Sequence, residues 1–245
     1  RPTNPELLDW LAVTFMENGW DTKKFIKKIV TSKTYMQSSK VDEQNKKFDA
    51  ENVFLSYYPR QKLAAEMIRD NILASSGLLV DKLGGPSVKP YQPEGLWDEV
   101  IGGGGGSLAR YVQSEGDNLY RRSLYTFWKK TVPPPSMMIF DASSRDNCEV
   151  KRQDTSTPLQ SLTLMNNPEF IEAANFLSKS IENKSLNIND KIIYLYRTVT
   201  GRTPNNNEIS KLKNYLKDQI ELDNVNAFNK LTMLVYNLDE TSQKS

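Results

Sequence analysis

Four times this chain sets a short polar side chain directly before a proline: Asn4-Pro5, Thr157-Pro158, Asn167-Pro168 and Thr203-Pro204. Each pair is a helix-start signal. The first side chain can accept from the orphan N–H groups of an opening turn, and proline already has a helical φ and no N–H to lose. Apolar residues at three- and four-residue spacing, the period of one helix face, then follow. Leu7, Leu8, Leu11, Ala12, Phe15 and Met16 run to a stop at Gly19, and Phe170, Ile171, Ala174, Leu177 and Ile181 follow Asn167-Pro168. Ile209, Leu212, Leu216 and Ile220 follow Thr203-Pro204. Other stretches repeat the period without proline. Asp21 caps a helix containing Phe25, Ile26, Ile29 and Val30, with Lys23, Lys24, Lys27 and Lys28 on a face that reads as solvated. A third helix is predicted over about residues 61–79, stopped by Gly84-Gly85-Pro86. Ile192 to Val199 forms another, ended at Thr200-Gly201, and Phe228 to Leu238 the last. Nothing alternates strand with helix as a doubly wound sheet requires, and no fixed-period repeat emerges.

The expected fold is therefore mainly α, an irregular helical domain with long ordered loops in its middle third and little or no β-sheet. One domain is expected over 1–245, helical over 1–83, loop-rich over 84–157 and helical again over 158–245. The loop-rich part includes five consecutive glycines, Gly102 to Gly106. These lack the Lys-Ser/Thr ending of a phosphate-cradling loop, and no strand precedes them, so a nucleotide site is rejected there. Residues 120–132 carry two signals. Their β-branched and aromatic residues suit a strand, while Tyr120, Leu124 and Trp128 recur at helical spacing, which favours a helix.

Composition narrows the chemistry. The chain has no histidine, which removes the commonest general base and metal ligand, and a single cysteine, Cys148, which cannot close an intrachain disulfide. Without histidine to activate it, Cys148 reads as a buried structural thiol. A net charge of +2 from 32 basic and 30 acidic residues demands neither nucleic acid nor an anionic membrane surface. No apolar run is long enough to span a bilayer. The opening Arg1-Pro2-Thr3-Asn4-Pro5 shows no signal peptide and suggests a fragment or processed chain.

The residues that best suit a binding role form a basic-aromatic segment. Arg121, Arg122, Lys129 and Lys130 are interleaved with Tyr120, Tyr125, Phe127 and Trp128. Guanidinium forks take carboxylate, sulfate or phosphate at two points, and aromatic faces stack on sugars or flat ligands. The candidate binding set is Arg121, Arg122, Tyr125, Trp128, Arg145, Arg152, Tyr91 and Trp97. The competing reading makes the aromatics core and pairs the arginines with Asp117, Asp141 or Asp146. Oxygen-bearing residues from Asp141 to Glu149 could hold calcium, but they lack the spacing and central glycine of the twelve-residue loop. Asp141 with Asp146, or Glu94 with Asp98, could form the acid pair of a glycoside hydrolase. Met137-Met138 could ligate haem iron but reads better as core filler. No metal site is expected, and no catalytic residue is assigned.

Several of these stretches are long enough to resemble one family. Pro5-Glu6-Leu7-Leu8-Asp9-Trp10-Leu11-Ala12, the run from Gly84-Gly85-Pro86 to Leu96-Trp97, and Leu119-Tyr120-Arg121-Arg122-Ser123-Leu124-Tyr125-Thr126-Phe127-Trp128 carry the likeness. Pro133-Pro134-Pro135-Ser136-Met137, Phe140-Asp141-Ala142, Arg152, Thr157-Pro158-Leu159-Gln160 and Leu164-Met165-Asn166-Asn167-Pro168 extend it. Together they resemble the planctomycete surface-domain family, domain of unknown function 1553. That family has histidine where Asn4 stands and begins upstream of Arg1. The resemblance implies a module of an exported bacterial protein, periplasmic or at the cell surface, commonly behind a cytochrome-c-like module that would carry any haem. No catalytic residues can be carried over from the family, and no cofactor is expected in this chain. The leading expectation is a non-catalytic module that docks other domains of its own polypeptide, such as the cytochrome-c-like one, or binds an anionic or carbohydrate ligand. The alternatives are an enzyme acting on acidic or sulfated polysaccharides and a purely structural interaction domain.

Overall fold

The computed structural model describes residues 2–97, 110–145, 148–223 and 225–244. It is 54% helical, with 11 α-helices among the described residues and one sheet of two two-residue strands, so the chain is mainly α. The Gly102–Gly106 run, Asp98 and Asp146 lie outside the described residues.

The chain divides into two compact units, Arg1–Gln61 with Gln243–Ser245, and Lys62–Ser242. The first contains α1 (Pro5–Glu17), α2 (Thr22–Val30) and the short α3 (Glu43–Phe48). Asp21 caps α2 by accepting from the Lys24 N–H at 3.0 Å. Asn4 precedes α1 but makes no cap bond; its amide donates instead to the Val53 carbonyl. All four lysines of α2 are exposed.

The second unit holds α4 (Ala65–Ser76), α5 (Pro135–Ile139), α6 (Pro158–Asn166), α7 (Pro168–Glu182), α8 (Ile188–Thr200), α9 (Asn206–Leu222), α10 (Ala227–Tyr236) and α11 (Asp239–Ser242). Thr157 and Gln160 close a reciprocal capping box on α6, and Asn167 caps α7 through the Glu169 N–H. The fourth proline signal falls two residues early, because Asn205 and Glu208 form the box that starts α9. Gly201 ends α8 in the left-handed conformation, which a residue without Cβ adopts freely. Gly77 does the same for α4, so the helix stops before Gly84. Helices α4, α7, α8 and α10 share one apolar core built on Ile68, Ile72, Ile181, Leu195, Leu231 and Val235, none measurably exposed. Met137 joins this core as filler.

Residues 120–132 are not an α-helix. A 3₁₀ turn at Gly116–Leu119 precedes them, and they form a second, Ser123–Tyr125, followed by an extended run that bridges Val88 at Thr126. Buried side chains of α4 supply the reason. Arg69 engages all five of its N–H groups: two go to the Glu169 carboxylate, two to the Leu119 and Arg121 carbonyls, and one to the Ser123 hydroxyl. Asp70 takes the Ser123 N–H at 2.7 Å. Backbone groups that a helix would pair internally are thus claimed from outside, and tertiary contacts override local periodicity.

Candidate functional site

The extended run decides how the basic-aromatic residues are distributed. Side chains of an extended chain alternate between its two sides. Phe127 and Lys129 turn toward Trp97, with ring centroids 6.0 Å apart for the aromatic pair and the Lys129 ammonium 4.3 Å from the indole centroid. Trp128 turns the other way. It packs on the apolar core, donates its indole N–H to the Ser144 carbonyl at 3.2 Å, and carries the Arg145 guanidinium 4.3 Å from its ring. Residues that share a stripe in the linear pattern therefore belong to two different places.

Arg121 belongs to neither. Its side chain is buried, lies 3.9 Å over the Tyr125 ring, and donates to the carbonyls of Lys82, Gly84 and Pro86. Gly84 and Gly85 both take left-handed φ angles as the loop wraps this guanidinium, and the Tyr125 hydroxyl accepts from the Gly84 N–H at 2.8 Å. Arg122 is exposed and pairs with Asp70 at 3.5 Å. Arg152 forms a two-point pair with Glu66 at 2.7 and 3.1 Å. Burial pushes the Glu66 carboxyl up, but the bond from Arg152 leads the opposing effects and the net direction is down.

Asp141 sits at the centre of a polar knot, in a left-handed conformation with φ of 61°. Its carboxylate accepts from the Thr155 N–H at 2.9 Å, the Thr155 hydroxyl at 2.8 Å and the Lys62 ammonium at 3.0 Å. Lys62 also donates to the Gln160 side chain and to the Thr155 carbonyl, and Gln160 reaches the Ile139 carbonyl. Burial raises the Asp141 carboxyl, yet the Thr155 and Lys62 contacts outweigh it and hold the group below its usual range. An acid held ionised this way is a tether for the 141–155 loop and a poor proton donor. Cys148 is exposed, not buried, because the surface coil around it leaves neighbouring Val150 fully solvated. Among the described residues no group of three His, Cys, Asp or Glu side chains could hold a metal ion.

The second unit has a cavity of about 500 Å³ along α8, lined by Asp190, Tyr194, Arg197 and Thr198 among others, and another that joins amides and charges to an aromatic wall. The latter encloses about 570 Å³ beside Trp97 and is lined by Gln92, Glu94, Arg110, Tyr111 and Gln113 as well as the indole. Trp97 is almost wholly buried and donates its N–H to the Gln92 side-chain oxygen at 3.0 Å. Tyr111 stacks at a tilt on Trp97 with centroids 5.2 Å apart, and its hydroxyl donates to the Pro90 carbonyl. Burial raises the pKa of that hydroxyl. Lys89 lies 5.4–5.8 Å from the Trp97, Tyr111 and Phe127 rings. Tyr91 lies outside this cavity, in a neighbouring apolar groove of about 320 Å³ with Pro135, Ile139, Leu159 and Leu162. Of the sequence-derived set only Trp97 lines the mixed cavity. Arg110 and Gln113 were missed, since they follow the glycine run in a stretch with no periodicity; the pairing of Gln92 with Trp97 five residues on was the one local clue.

With this geometry in view, the family model described as a protein of unknown function (DUF1553) matches residues 1–216. The chain belongs to that family. No curated protein and no solved structure matches it.

Proposed function

We propose that this chain is a binding module without chemistry of its own, holding a polar, sugar-like ligand with an acidic group in the cavity beside Trp97. The observation that carries the reading is the cavity lining, where a guanidinium (Arg110), a carboxylate (Glu94) and two amides (Gln92, Gln113) converge against an aromatic wall. A volume of about 570 Å³ is in the usual size range for ligand sites. Arg110 would take the acidic group at two points, while Glu94 and the amides would read hydroxyls. The family resemblance supports placing the module in an exported bacterial protein, with any haem in a cytochrome-c-like neighbour.

The test is a thermal-shift titration of the full chain with uronic-acid and sulfated oligosaccharides. A ligand at a hundredfold its Kd adds about 2.7 kcal/mol of stability, so a true binder raises the Tm measurably. Arg110→Ala should abolish the shift, and an unchanged shift removes the site. A second reading is hydrolysis of such glycans, in which Glu94, the one acidic residue lining the cavity among the described residues, would serve as one carboxyl of the pair. In that case Glu94→Gln would stop product release, detected by reducing-end assay, while leaving the thermal shift in place.

A further inference from the structure

The first unit contains a cavity of a different character. It encloses about 420 Å³ and is lined by Leu7, Trp10 and Leu11 of α1, Ile29 of α2, and Leu55 and Tyr57 of the loop after α3, with further tyrosines among its lining. The volume lies within the range of roughly 300–1,000 Å³ typical of small-molecule sites, and an apolar lining with few polar groups is their usual chemistry. Two features make it more than a gap between helices. Leu55 is held at φ of 54°, a conformation that γ-branched side chains rarely adopt and that recurs at ligand clamps. The charge among its lining residues is positive. Lys28 lines the cavity with its ammonium 4.3 Å from the Trp10 ring centroid. Lys244 lies 3.9 Å from the Tyr35 centroid and 4.9 Å from that of Tyr58, donating to the Tyr35 hydroxyl. No acidic residue is among those lining the cavity.

We propose that this cavity is a binding site for a small amphiphilic carboxylate, with an aromatic or short acyl body between α1 and the 55–59 loop and its carboxylate at Lys28. The apolar body leaves water for the indole and leucine walls. The charge stays at the rim, where an ammonium meets it without full desolvation. A cation of the same shape would face a like charge at Lys28.

Isothermal titration calorimetry of the full chain with 2-naphthoate and with 2-naphthylmethylamine tests this. The naphthoate should bind once per chain, and the amine at least about fivefold more weakly, as a rim charge contact implies. Lys28→Glu, a change at an exposed position, should invert that order, whereas Lys23→Glu on the same helix should leave it unchanged. Absence of naphthoate binding, equal affinity for the two probes, or equal effects of the two substitutions would each overturn the assignment.

Discussion

The two units follow the same helical grammar and end in different states. In Lys62–Ser242 the apolar stripes of α4, α7, α8 and α10 meet, and every fully buried aliphatic side chain of the described residues lies there. In Arg1–Gln61 the stripe of α1 is as regular, yet Leu8, Trp10 and Val13 are about half exposed, and among the described residues of this segment only Thr14 and Asp49 are buried. Small aromatic clusters, such as Phe15 with Trp20 and Phe25, take the place of a core. Periodicity is enough to specify a helix, but burial needs a second stripe of matching width to cover the first.

Glu169→Gln should cost about 3–5 kcal/mol in urea denaturation, because it removes the two-point counter-charge of the buried Arg69 guanidinium and leaves only Asp70, 4.0 Å away. A loss under about 1 kcal/mol would mean that the carbonyls of Leu119 and Arg121 suffice to hold that cation. A paired substitution sharpens the contrast between the units. Leu195→Ala, in the sealed core, should cost about 2–5 kcal/mol. Leu8→Ala, at an exposed position, should stay within about 0.5 kcal/mol. Equal losses would show that both stripes are covered in solution.

The smallest effect concerns pH. The Arg202 guanidinium beside Glu208 is the main cause holding that carboxyl at about 2, against an ordinary 4.5. A depressed folded pKa contributes stability in full above the unfolded value and loses it as pH falls toward the folded one. Glu208→Gln should therefore cost about 1 kcal/mol at neutral pH, a figure limited by the exposure of the pair. The gap to the parent chain should close as pH drops from about 4.5 toward 2. A constant gap across that window would assign the effect to packing.

The helices were largely legible because caps, prolines and periods are local signals. Thr157, Asn167 and Asp21 each perform the capping expected of them, and Gly201 stops its helix as read. The middle third was legible only as a place. That Arg121 would be spent on loop carbonyls, that Lys62 would find Asp141 across 79 residues, and that Arg69 would unwind the 120–125 segment are all consequences of distant partners. Spacing along the chain carries no record of such contacts. The cavity lining suffered for the same reason. Trp97 announced itself as a large aromatic in a loop, while Arg110 and Gln113 gain their meaning only from standing opposite it.

The extended run at 126–129 has a consequence for how this family can change. Its neighbours are sorted left and right by position alone, so its length is fixed to the residue while its composition is not. Deleting one residue ahead of Trp128 would drive the Lys129 ammonium against the Ser144 carbonyl and the aliphatic interior, and adding one would swing the indole out to where Lys129 now stands. Exchanges of one side chain for another leave that sorting intact.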